Sequence, residues 1–162
     1  NDQKSFNVVS QELINMKKFS DLNTLKNSTC IHIRGNDFID HNDSREWIIE
    51  FYVKAINFLI KKYNIKNIDV ITDDINHAHY LIDRFNKVLN SKIKFEFNQD
   101  NNSFDDDIKR FSNYQYHILS DSTFSIIASS LCQNNLIKRF APDSFENKYP
   151  RKFLLRNEIN LF

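Results

Sequence analysis

Two short segments hold most of the side chains that could do chemistry. The first is His32-Ile-Arg34-Gly-Asn-Asp37, and the second is Leu119-Ser-Asp-Ser-Thr-Phe-Ser125. Arg34 offers a planar guanidinium that pairs bidentately with phosphate oxygens. Ser122, Thr123 and Ser125 offer hydroxyl donors without added charge, and they open an apolar run with helical character. A helix start presents free N–H groups and partial positive charge, which suits a phosphate. Taken singly, each segment has an ordinary structural reading. Arg34 could pair with Asp37, and Ser122 could be a simple helix cap. Together they could hold a diphosphate without a glycine-rich loop. Gly35 is the only glycine of the chain, so neither common glycine-rich phosphate loop can form.

The elements that must position these segments follow from hydrophobic spacing. Thr29–Arg34, Asn67–Thr72, Lys92–Phe97, Tyr116–Leu119 and Leu136–Phe140 read as strands. The clearest helix is 46–62, where Ile48, Ile49, Tyr52, Ala55, Ile56 and Leu59 recur on one face, with Ser44 as a candidate cap. Further helices are expected over 75–89, 105–111 and 123–131, and a helical segment over 8–19, with Val9, Leu13 and Met16 on one side. Strands alternating with helices predict a Rossmann-like, doubly wound α/β fold with a parallel sheet in the order 3-2-1-4-5. In such a sheet, ligands bind beyond the carboxyl ends of the strands where the order reverses. That crevice lies between strands one and four, so the two loaded segments should face one another.

Composition narrows the function classes. The chain has 162 residues and is 41% hydrophobic and 27% charged, as expected of a folded domain. Twenty-two Lys and Arg against 21 Asp and Glu leave no basic excess for nucleic acid or anionic lipid. Two cysteines, Cys30 and Cys132, exclude a disulfide scaffold and a four-cysteine zinc site, and read as buried thiols of a reducing compartment. His77 and His79 stand two apart on a helix and point away from each other, so no metal site is expected there. Scattered asparagine, lysine and isoleucine suggest AT-rich, bacterial coding.

At these segments the chain resembles the GDP-fucose-using glycosyltransferases, and within them the bacterial α-1,2-fucosyltransferases of glycosyltransferase family 11. His32–Asp37 is similar to the H-x-R-R-x-D motif of that superfamily, with Gly35 in place of the second arginine. Glu50–Ile56 resembles the tyrosine-rich helix that follows, Ile71–Asp74 the strand ending in S/T-D-D, and Asp107–Ser112 a D-L-x-L-M-S helix. His117–Ser125 resembles the strand-to-helix motif ending in N-S-T/S-F-S, with Asp121 at the asparagine. Ile137–Pro142 resembles the closing strand and proline.

The resemblance implies the C-terminal, nucleotide-sugar-binding half of a GT-B glycosyltransferase, with residues 1–27 a helical segment, 28–162 the GDP-sugar-binding domain and the acceptor-binding half absent. It implies a metal-independent, inverting transfer of fucose from GDP-fucose to an oligosaccharide hydroxyl in surface polysaccharide synthesis. It also implies a cytoplasmic location, at most peripheral to the inner face of the membrane. Arg34 would grip the β-phosphate and stabilise departing GDP, with His32 a second nucleotide contact or a core histidine. Asp107, or Asp105 or Asp106 beside it, would read guanine. Asp73 and Asp74 end the second strand, where comparable folds hold ribose hydroxyls, or else they are charges facing the dipole of the next helix. Ser122, Thr123, Phe124 and Ser125 would line the phosphate and ribose pocket, and Asp37 would brace its loop. Asp40, His41, Asp43 and Glu46 lie where a general base could stand. Two other readings stay open: a non-catalytic nucleotide-sugar-binding module, and an α/β interaction domain.

Overall fold

The computed structural model describes residues 28–35, 46–89, 91–97, 104–132, 134–145, 149–151 and 155–161. The elements run β1 (Thr29–Ile33), α1 (Glu46–Tyr63), β2 (Asn67–Thr72), α2 (Ile75–Val88), β3 (Lys94–Glu96), α3 (Phe104–Phe111), β4 (Tyr116–Ile118), α4 (Thr123–Leu131) and β5 (Lys138–Phe140). A short antiparallel ribbon, β6 (Ser144–Phe145) with β7 (Tyr149–Pro150), follows. The five main strands are parallel, in the order β3-β2-β1-β4-β5. This is the Rossmann-like α/β architecture with its reversal at β1 and β4. The expected 8–19 helix, the Ser44 cap, and Asp37, Asp40, His41 and Asp43 lie outside the described residues.

Alternation along the strands sends successive side chains to opposite faces. Ile31 and Ile33 of β1, Ile68 and Val70 of β2, Tyr116 and Ile118 of β4, and Phe140 of β5 share a core with α1 and α2. The intervening positions face α3 and α4, where Cys30, Ile71, Leu119 and Ile137 pack with Ile108, Phe111, Ile126 and Ala128. The same alternation places His32, His117 and Arg139 among the buried polar side chains.

Ends of elements follow their local chemistry. Asp74 caps α2, its carboxylate accepting the His77 N–H at 3.0 Å. Ser122 caps α4, its hydroxyl accepting the Phe124 N–H at 3.2 Å. Asn64 takes the left-handed conformation (φ 53°) after α1. The outer edge of β5 is covered by the chain around residue 158: Arg139 N–H donates to Asn157 O at 3.3 Å, and Ile159 N–H to Arg139 O at 2.8 Å. Among the described residues, no helix is long and apolar enough to cross a membrane.

Candidate functional site

β1 and β4 are adjacent, with Ile31 in register with Ile118. The chain leaving β1 and the chain leaving β4 therefore emerge at the same rim of the sheet. They touch there: His32 Nδ1 lies 2.8 Å from Ser120 Oγ, across 88 residues of sequence. The two segments singled out above are thus brought together at the switch point.

His32 is 2% exposed. Its ring lies 5.3 Å from the Phe124 ring and 6.2 Å from the Phe111 ring, so α3 and α4 both wall it in. Its carbonyl accepts the Tyr52 hydroxyl of α1 at 3.0 Å. Burial, reinforced by the positive charge of Arg34, pushes the imidazole pKa down to about 3, so the ring is neutral.

Arg34 follows β1 and remains partly open, its side chain 28% exposed. Its guanidinium pairs with the Asp73 carboxylate at 2.5 Å. The other oxygen of that carboxylate accepts the Gly35 N–H at 2.7 Å. Asp73 comes from the end of β2, the neighbour of β1 on the side opposite β4. Asp73 thus ties the β1 exit loop to β2, a partner the sequence did not single out for Arg34.

Gly35 occupies a place where no side chain fits. A Cβ there would stand 2.1 Å from Asp74 Cβ. Asp74 is itself fixed as the cap of α2, so in this chain a side chain at position 35 would require the loop or the cap to shift.

The hydroxyls of the β4 exit are largely used within the turn itself. Ser125 is fully buried and its hydroxyl donates to Ser122 O at 3.0 Å. Ser120 Oγ accepts the Ser122 N–H at 3.3 Å. Thr123 is exposed and Phe124 half-buried, so they form the open part of the α4 start. The first-turn N–H groups of Thr123 and Ser125 have no intrahelical carbonyl to meet, as at any helix start. Asp121 is buried beside them.

Asp107 lies on α3, one turn before Phe111, and its carboxylate is 3.4 Å from Arg110, which also reaches Val70 O at 3.3 Å. Asp106 pairs with Lys109 at 3.8 Å on the same helix. Glu46 pairs with Arg84 at the base of α1. His79 stacks near Phe97, with centroids 4.2 Å apart, while His77 lies near Tyr80.

A second polar cluster supports the site from below. Arg139 is almost fully buried and donates to the carbonyls of Ser129, Cys132 and Arg156 at 2.7, 2.6 and 2.7 Å. Two of these are carbonyls from the end of α4, where a cation is favoured by the helix dipole. Arg139 Nε also donates to Ser129 Oγ at 2.9 Å. Ser129 Oγ lies 2.8 Å from His117 Nδ1, and His117 Nε2 donates to Tyr114 O at 3.0 Å. Burial and the Arg139 charge push the His117 pKa down to about 3. Burial raises the thiols of Cys30 and Cys132, the latter to about 11, which leaves both protonated and inert.

The model of the family described as glycosyl transferase family 11 matches residues 6–155. The chain belongs to glycosyl transferase family 11. No protein with a curated description matches it. Two solved structures resemble this family 11 chain, both crystal structures of POFUT1 in complex with GDP. The first aligns at 18% identity over 74% of this chain and 42% of that one, with a TM-score of 0.44. The second aligns at 12% identity over 76% of this chain and 44% of that one, with a TM-score of 0.43. The family 11 chain spans less than half the length of either structure.

Proposed function

We propose that this family 11 chain binds GDP-fucose at the rim between β1 and β4, and that it serves a fucosyltransferase. The observation that carries the reading is the His32–Ser120 contact, which brings the exit of β1, with Arg34, against the start of α4. The diphosphate would sit across the two. Arg34 would keep Nη1 on Asp73 and turn its remaining N–H donors to the β-phosphate, and the N–H groups of the first turn of α4 would face the other phosphate oxygens. The exposed Thr123 and the face of Phe124 would border the ribose, with the buried Ser122 and Ser125 holding the turn behind them. Asp107 would accept the N1–H and N2–H₂ donors of guanine, the edge a carboxylate complements.

The reaction is a single displacement. A hydroxyl oxygen of the oligosaccharide acceptor bonds to the fucose anomeric carbon as the bond from that carbon to the β-phosphate oxygen breaks, with inversion. The bonding pair leaves on GDP, and the hydroxyl proton passes to a base or to solvent. Negative charge grows on the β-phosphate, where the Arg34 guanidinium stabilises it. These side chains meet the diphosphate without a bound metal. A cytoplasmic role in surface polysaccharide synthesis completes the proposal.

Titration calorimetry with GDP, ADP and UDP tests it. GDP should bind most tightly, and Asp107→Ala should remove that preference. Equal, weak binding of all three would defeat Asp107 as the guanine reader. No binding of any would defeat the site.

A further inference from the structure

The hydroxyl of Ser120 has few choices for its single hydrogen. Ser125 Oγ is 3.2 Å away, long for an O–H···O bond, whereas His32 Nδ1 at 2.8 Å is ideally placed to accept. Ser125 places its own hydrogen on the Ser122 carbonyl at 3.0 Å. Ser120 Oγ meanwhile accepts the Ser122 N–H. The shortest of these contacts, to the imidazole, favours placing the Ser120 hydrogen there and leaves its lone pairs for the helix start. A neutral imidazole that accepts at one nitrogen carries its proton on the other. His32 Nε2 has no hydrogen-bond partner among the described residues, although the ring is buried.

We propose that Ser120 is a positioning residue that fixes His32 as the Nε2–H tautomer, and that Nε2–H is a neutral donor to the anion bound at the β1–β4 rim. The donor role rests on the nucleotide-binding reading above; the tautomer does not. The assignment explains why a histidine sits beneath Arg34. A second cation there would be repelled by the guanidinium, whereas a neutral N–H adds a directed bond without charge. It also gives Ser120 a task distinct from that of Ser122, which caps α4. The rings of Phe111 and Phe124 keep the imidazole plane in place, and the Tyr52 hydroxyl anchors its backbone.

Long-range ¹H–¹⁵N correlation spectra of the full chain separate the two tautomers of each histidine. His32 should show a protonated Nε2 and an unprotonated Nδ1, and added GDP should shift the Nε2 signal. Ser120→Ala should mix the His32 tautomers and weaken GDP binding about tenfold, the scale of one hydrogen bond to a charged group. Ser120→Thr should restore both. His117, held between Ser129 and Tyr114, reports on the fold and should not change. A protonated Nδ1 in the unaltered protein overturns the role of Ser120, and that spectrum decides even if Ser120→Ala does not fold. A His32 signal and GDP affinity indifferent to Ser120→Ala overturn it as well. Failure of the unaltered protein to bind GDP overturns the donor role together with the nucleotide reading, while leaving the tautomer to the spectrum.

Discussion

The Asp73 carboxylate holds the guanidinium of Arg34 on one oxygen, at 2.5 Å, and the backbone N–H of Gly35 on the other, at 2.7 Å. One side chain from β2 thereby fixes both the charge and the backbone of the loop that leaves β1. Both partners are about a quarter exposed, so the pair contributes at most about 1 kcal/mol to stability. Its larger effect is on where Arg34 points. Asp73→Ala should weaken GDP binding. The double variant with Arg34→Ala should bind no worse than Arg34→Ala alone, because the aspartate acts through the arginine. Calorimetric titration of the four proteins gives the coupling, and strictly additive losses would refute this role.

Gly35→Ala should destabilise the fold. The added Cβ meets Asp74 Cβ, not a flexible side-chain end, so the loop or the α2 cap must shift. Overpacking of this kind costs about 1–3 kcal/mol. Urea unfolding measures it, and an unchanged midpoint would show that the loop yields freely.

Acid should destabilise the protein before its carboxylates titrate. His32 and His117 are held neutral, with pKa values near 3, while in the unfolded chain each titrates near the ordinary 6.5. Below that value the unfolded chain binds more protons, so stability is fully present above about pH 6.5 and falls as pH drops toward 3. Each histidine adds a slope approaching about 1.4 kcal/mol per pH unit. Urea midpoints between pH 7.5 and 5 should fall accordingly, and His32→Asn should make the dependence shallower by one proton. A flat profile would mean that the rings can charge in place.

Much of this architecture was legible in the sequence. The apolar stripe from Ile48 to Leu59 predicts α1, and the alternation of strand-like and helix-like segments predicts the sheet order that is observed. The edge strands came out shorter than expected. β3 covers only Lys94–Glu96 of the predicted 92–97, because its register sets Lys94 against Asn67, the first residue of β2, and leaves Lys92 and Ile93 ahead of the ladder. β5 begins at Lys138, not Leu136, because a turn closes between Asn134 and Ile137 and leaves Leu136 exposed.

The site was legible at the level of segments and less so at the level of partners. Sequence proximity offers Asp37 to Arg34, and Asp37 lies outside the described residues; Asp73 is brought beside Arg34 by the β1–β2 register, which sequence spacing does not encode. Ser122 and Ser125 attract attention as a hydroxyl-rich helix start, yet both are engaged in the local turn, and Ser120 before them makes the long-range contact. The signal that could have found Ser120 is the two-residue period of β1, which turns His32 toward the α3 and α4 face. Arg139 reads as a charged residue on an edge strand, and only the fold shows it closing the end of α4.

The most direct test is GDP binding to the full chain with and without the Arg34 side chain. The unaltered protein should bind GDP measurably, and Arg34→Ala should lose about 1.5–3 kcal/mol of binding, the scale of hydrogen bonding to a charged group. Equal GDP affinity in the two proteins, or none in either, would contradict this.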